Sequence, residues 1–137
     1  MTAFTASASR DLGLNAAFDV LNSGNLRVAD ATQPTNANTA LGSQISLADC
    51  ALSATAFAAA SSGSKAANSI TSDSSINSTA TATWATLQAT GVAFSGSNAR
   101  VMDMSVGTSG QNLNFNSVAF QSGAQCSVTS LSITQAA

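Results

Sequence analysis

Apolar residues in this chain recur with a period of two, in short segments broken by turn formers. TATATWATLQAT (79–90) sets Ala80, Ala82 and Trp84 on one side and Thr79, Thr81 and Thr83 on the other. Successive side chains of an extended backbone point to opposite faces, so this alternation describes a strand with one face buried and Trp84 at its core. LRVAD (26–30) alternates in the same way through Leu26 and Val28. QISLADCALS (44–53) places Ile45 and Leu47 on one side, then changes parity at Cys50 and Leu52, which predicts a bulge or bend. AANSIT (66–71) and the final CSVTSLSIT (126–134) are further strands, with Phe57 in a small-residue strand or connector. GVAFSGSNARVMDMSVG (91–107) reads as a hairpin. Val92 and Phe94 lie in its first arm, Ser-Gly-Ser-Asn in its turn, and Val101, Met102, Met104 and Val106 in its second. TQPTNANT (32–39), SSGSK (61–65) and SDSSINS (72–78) are rich in turn formers and read as loops.

One segment follows a different period. Leu14, Ala17, Phe18 and Leu21 fall at i, i+3, i+4 and i+7, the spacing of an amphipathic helix over about residues 11–22. Ser9 or Asp11 is placed to cap its start, and Asn22-Ser23-Gly24 to stop it in the left-handed region. About eight short strands with turns every 8–12 residues argue for a sandwich or barrel. The expected fold is therefore all-β: a single antiparallel β-sandwich or jelly-roll-like domain over 1–137. It carries one short N-terminal helix, with strands from about 26 to 134.

Composition says how such a domain meets its surroundings. Charged residues make up 7% of the chain, against about 25% in an ordinary globular domain. Ser, Thr, Asn, Gln, Gly and Ala take their place, giving a polar but almost uncharged coat. A soluble monomer usually relies on surface charge, so part of this surface is expected to be covered by further copies or by a larger assembly. The net charge of −2 leaves no basic footprint, and nucleic acid is not an expected partner. Apolar stretches such as ATAFAAA (54–60) are far shorter than the roughly 20 residues of a membrane span, so no membrane association is expected. The first residues lack a basic start followed by a continuous apolar run, so they do not read as a signal peptide. Synthesis in a cytoplasm without export by the usual route is expected.

Reactive groups are scarce. The chain has no His, which removes the commonest general base and metal ligand. Paired carboxylates could serve a glycosidase, but Asp103 reads as an outward-facing hairpin residue, Asp30 precedes a loop and Asp19 lies on the helix. DSSIN (73–77) hints at oxygen-ligand spacing yet lacks the glycine and distal Glu of a calcium loop. Arg10, Arg27 and Arg100 read as solvated or in surface pairs. Phe57, Trp84, Phe94, Phe115 and Phe120 could in part form a carbohydrate platform, though the core needs most of them. A disulfide between Cys50 and Cys126 would close a loop of about 75 residues and add about 4 kcal/mol in the chain-entropy model. Reduced, buried thiols are the commoner outcome for a cytoplasmic product, and both states remain open. No catalysis, cofactor or metal is expected.

Three stretches carry a resemblance: NSGNLRVADATQPTNANTAL (22–41), AANSITSDSSINSTATATWATL (66–87) and GTSGQNLNFNSVAFQSGAQCSVTSLSIT (107–134). Together they resemble a family of small proteins encoded among the structural genes of tailed bacteriophages and prophages, and the C-terminal third is the most specific part. Ala-Asp-Ala at 29–31 and Cys126 depart from the family pattern without touching chemistry. The resemblance implies a virion component, with a capsid decoration (cement) protein as the first reading. Such a protein would bind the outer surface of the major capsid protein and stabilise the head. It would act as a homo-oligomer, a trimer or dimer, located on the virion. The alternatives are a tail, neck or fibre protein of the particle, or a carbohydrate-binding adhesin module. Asn112, Asn114 and Asn116 alternate with Leu113 and Phe115 and are the expected subunit-contact face.

Overall fold

The computed structural model describes residues 6–94 and 100–135. Helix α1 (Ser7–Phe18) and a single 3-10 turn (Asp19–Leu21) precede the strands. These are β1 (Asn25–Ala29), β2 (Ser46–Leu52), β3 (Ser64–Ala66), β4 (Ile70–Thr71), β5 (Ala80–Thr81), β6 (Trp84–Gln88), β7 (Arg100–Gly107), β8 (Leu113–Phe115), β9 (Ala119–Phe120) and β10 (Val128–Thr134). An 8-stranded sheet has the order β3-β10-β8-β7-β6-β1-β2-β4, and β5 pairs with β9 separately. The fold is mostly β with one short N-terminal helix.

The sheet is mixed. Its pairs are antiparallel except for β7 and β8, which run parallel through Val106↔Leu113 and Gly107↔Asn114. The expectation of a purely antiparallel sheet is corrected at this point. The residues after Gly107 double back so tightly that β8 starts beside the end of β7. Gln111 holds that return, its Oε1 accepting from Ser105 Oγ at 2.9 Å.

The sheet also curls. β3 and β4 stand at its two ends, yet only Ala67, Asn68 and Ser69 separate them in sequence. Four Cα–Cα steps reach at most about 15 Å, so the two ends must lie close together. Beyond β4, Asp73 pairs with Cys126 just before β10, and Cys126 N donates to Asp73 O at 2.9 Å. The two flanks of the sheet thus meet along a narrow seam. Inside the curl, Leu26, Val28, Cys50, Leu87, Leu113 and Phe115 belong to one buried cluster that also takes in Leu14, Phe18 and Leu21.

Local structure follows the sequence pattern closely in some places and departs from it in others. Val28 lies opposite Ala48 and Ala29 opposite Ser46, so Leu47 is an extra residue, the bulge that the parity change predicts. Leu47 and Ala48 are both buried, whereas Ile45, expected on the Leu47 side, is 51% exposed. The hairpin arms are shifted. β6 pairs with β7 from Trp84↔Ser105 to Gln88↔Arg100, so the first arm is 84–88 rather than 91–94. All five residues of β6 are buried between β1 and β7. Val92 and Phe94 fall in the connection, and the Ser-Gly-Ser-Asn turn lies outside the described residues.

The helix starts at Ser7, earlier than its apolar spacing indicates, and Ala6 caps it without a side-chain bond. Asp11 is not a cap, because its carboxylate accepts from Gly63 N at 2.7 Å. At the other end the left-handed residue is Ser23 (φ 57) rather than Gly24. Gly24 is required for closeness instead: a Cβ there would strike the carbonyl oxygen of Gln88 and lie 2.9 Å from that of Leu21. No helix among the described residues is long and apolar enough to cross a membrane.

Candidate interaction surface

Charged side chains are few, and the fold consumes most of them. Asp11 holds Gly63, and Asp30 Oδ1 accepts from Ile45 N at 2.7 Å, fastening the end of the 32–44 loop. Asp49 accepts from Asn25 Nδ2 at 2.9 Å and pairs with Arg27 Nε at 3.0 Å across β1 and β2. Lys65 Nζ, on a residue only 3% exposed, donates to Asn15 Oδ1 of the helix at 2.7 Å. Asp73 accepts from Asp49 N and Ser75 N, both at 2.9 Å. The carboxylate at the head of the 73–77 segment is thus turned onto backbone amides. Among the described residues, no three His, Cys, Asp or Glu side chains are grouped to hold a metal ion.

Arg100 and Asp103 correct the sequence reading most sharply. Both were expected at the surface, and both side chains are buried, at 1% and 3% exposure, with Nε and Oδ1 3.4 Å apart. The Arg100 guanidinium donates to the carbonyls of Asn36, Ala37 and Thr39, with Nε to Ala37 at 3.2 Å. It also lies 5.8 Å from the Trp84 ring centroid. Trp84 Nε1 in turn donates to Asp30 O at 3.0 Å. This is an anchor for the proline-containing loop, built on the planar fork that suits Arg to several acceptors at once.

The rings expected for a carbohydrate platform are turned mostly inward. Phe57, Trp84, Phe115 and Phe120 are buried, and Phe94 is half-buried and stacked on Trp84 at 6.2 Å. A carbohydrate platform built from these rings is therefore not presented. A groove of about 190 Å³ lies at the seam between residues 67–70 and 128–131. That is smaller than the 300–1,000 Å³ of an ordinary small-molecule site.

Of the expected contact face, Asn112 and Asn116 are exposed and Asn114 is buried. Asn114 Nδ2 donates to Gln111 O at 2.7 Å and Ser130 Oγ at 3.0 Å, and its Oδ1 accepts from Gln111 N at 3.2 Å. Its amide closes the return between β7 and β8, so the expectation that it is presented outward is corrected. Apolar groups are exposed elsewhere: Leu12 is 71% exposed, Val20 55% and Ile45 51%. Leu12, Ala16 and Val20 fall at i, i+4 and i+8, away from the buried Leu14, Phe18 and Leu21. The helical spacing could have revealed this second stripe.

The thiols of Cys50 and Cys126 are free, buried and 3.9 Å apart. Their mutual hydrogen bond and burial push the Cys126 thiol up, and the same bond lowers the Cys50 thiol against its own burial. Comparison with family models, curated proteins and solved structures returned no match.

Proposed function

We propose that this chain is a structural protein of a tailed-bacteriophage particle, most specifically a capsid decoration protein seated on the outer surface of the major capsid protein. The observation that carries the reading is the distribution of charge. Most of the ionic side chains staple the chain to itself, and hydroxyls, amides and methyl groups make up most of what faces outward, with Leu12 and Val20 among them. A surface of that kind packs against another protein with little charge to desolvate. Small contacts repeated by symmetry then accumulate into firm binding. The chemistry is mechanical: the bound copies bridge capsomers and resist internal pressure, with no catalysis and no cofactor. We assign Asn112 and Asn116 to the contact face, and a trimer or dimer as the bound unit. The finer architecture proposed with this role is a sandwich of jelly-roll type, a reading supported by the curl that brings β3 and β4 close together.

Cryo-electron microscopy of purified virions tests the proposal. Density for this chain at three-fold or quasi-three-fold positions of the head is expected. Density confined to a unique vertex, the neck or the tail would replace the head reading with the tail or fibre one. Light scattering on the purified chain should give a trimer or dimer mass.

A further inference from the structure

We propose that Cys50 and Cys126 are a disulfide-forming pair that staples the seam of the curled sheet when the surroundings become oxidising. The seam is narrow. β4 is held to β2 by Ala51↔Thr71 and Leu52↔Ile70, and beyond it a short set of contacts joins the two flanks: the Asp73↔Cys126 bridge, Ile76 N to Ala124 O at 2.8 Å, Gly123 N to Ile76 O at 2.9 Å, and the hydroxyls of Ser72 and Ser127, 3.4 Å apart. The two sulfurs stand across this junction. Cys50 belongs to β2 on one flank, and Cys126 opens the segment leading into β10 on the other. At 3.9 Å they need to approach by roughly 2 Å to reach bonding distance, a movement that side-chain rotation and a small strand shift supply.

The surroundings favour this partner over any other. Cys50 is 0% exposed and Cys126 1%, so neither thiol meets a second copy of the chain. Cys126, unlike Cys50, lines a cleft of about 120 Å³ bordered by Ile76, Phe120, Gln121 and Ala124. A small oxidant therefore reaches the pair from the Cys126 side. With a low-molecular-weight disulfide as oxidant, the deprotonated sulfur of the pair attacks one of its sulfurs and expels a thiol, leaving a mixed disulfide. The other sulfur of the pair then attacks the protein sulfur of that mixed disulfide and expels the second thiol. Two protein thiols and one small disulfide give one protein disulfide and two small thiols, the protein losing two electrons and two protons. Burial keeps the pair reduced and slow to react in a reducing cytoplasm, and oxidation follows release from it. The staple does not depend on the capsid reading, since it concerns the chain alone.

The test is oxidation of the purified chain with glutathione disulfide, followed by thiol alkylation, intact mass and thermal melting. The expected product is a single covalent chain lighter by two hydrogens, with no alkylatable thiol. Its Tm should lie roughly 10 °C or more above that of the reduced chain, because a long loop is closed in the unfolded state. Dithiothreitol should reverse the rise, and Cys50→Ser should melt identically with and without oxidant. A persistent glutathione adduct, a disulfide-linked dimer, two unreacted thiols, or an oxidised chain no more stable than the reduced one would each overturn the proposal.

Discussion

Lys65 and Arg100 are both cations removed from water, at 3% and 5% exposure, and the fold treats them differently. Lys65 ends on one amide oxygen, that of Asn15, which also accepts from Ala60 N at 3.0 Å. Arg100 meets three loop carbonyls, the Asp103 carboxylate and the face of Trp84. The elements they secure differ in the same sense. Helix α1, which Lys65 ties to β3, is also fastened by Leu14 and Phe18, the latter meeting Phe57 edge-on at 5.4 Å. The loop that Arg100 holds has no strand or helix of its own between Ala29 and Ser46, and depends on polar anchors. A cation is concentrated where apolar packing is thin.

This contrast breaks most decisively at Arg100. Arg100→Ala leaves the Asp103 carboxylate buried without its partner and frees the loop, and should destabilise by about 3–5 kcal/mol in urea unfolding. A loss below about 1 kcal/mol would show that the loop is held by other contacts. Next, Asn15→Ala strands Lys65 Nζ and should lose about 2 kcal/mol, less than the Arg100 change because the apolar face of the helix remains. Lys65→Met sharpens the comparison: removing the buried cation together with its need for a partner should shift stability by less than about 1 kcal/mol. The smallest effect belongs to Arg27 and Asp49, whose side chains are 16% and 39% exposed. A double-mutant cycle there should give a coupling of about 0.5 kcal/mol, screened by salt. A coupling as large as that of Arg100 would remove the distinction between anchoring and surface pairs.

Sequence patterning reveals what is local. The alternation at 79–84, the strand around Leu26 and Val28 and the extra residue at Leu47 all depend on neighbours a few positions away. The features it misses depend on distant partners. Asp11 looks like a helix cap, but Gly63 takes its carboxylate from 52 residues away. Asp103, between two methionines, reads as an outward polar residue: its partner Arg100 is only three residues away, but the Asn36–Thr39 loop and Trp84 that bury the pair come from far along the chain. Residues 91–94 alternate as well as 84–88 do, and β1 decides for 84–88 as the first hairpin arm by pairing with Trp84–Gln88. Asn114 sits in phase with two exposed asparagines, and only the doubling back at Gln111 draws it inside.

The placement of β3 and β4 has a kinetic consequence. Ser64 Oγ reaches Ile133 O across 69 residues, and Cys50 reaches Cys126 across 76. The antiparallel ribbon of β1, β2 and β6 needs only the first part of the chain, but the curl cannot close until β10 arrives. Closure over such separations carries a large loop entropy, so the late event sets the pace and the chain should refold slowly for its size. During synthesis the ribbon would wait, its interior open, for residues 126–134 to leave the ribosome.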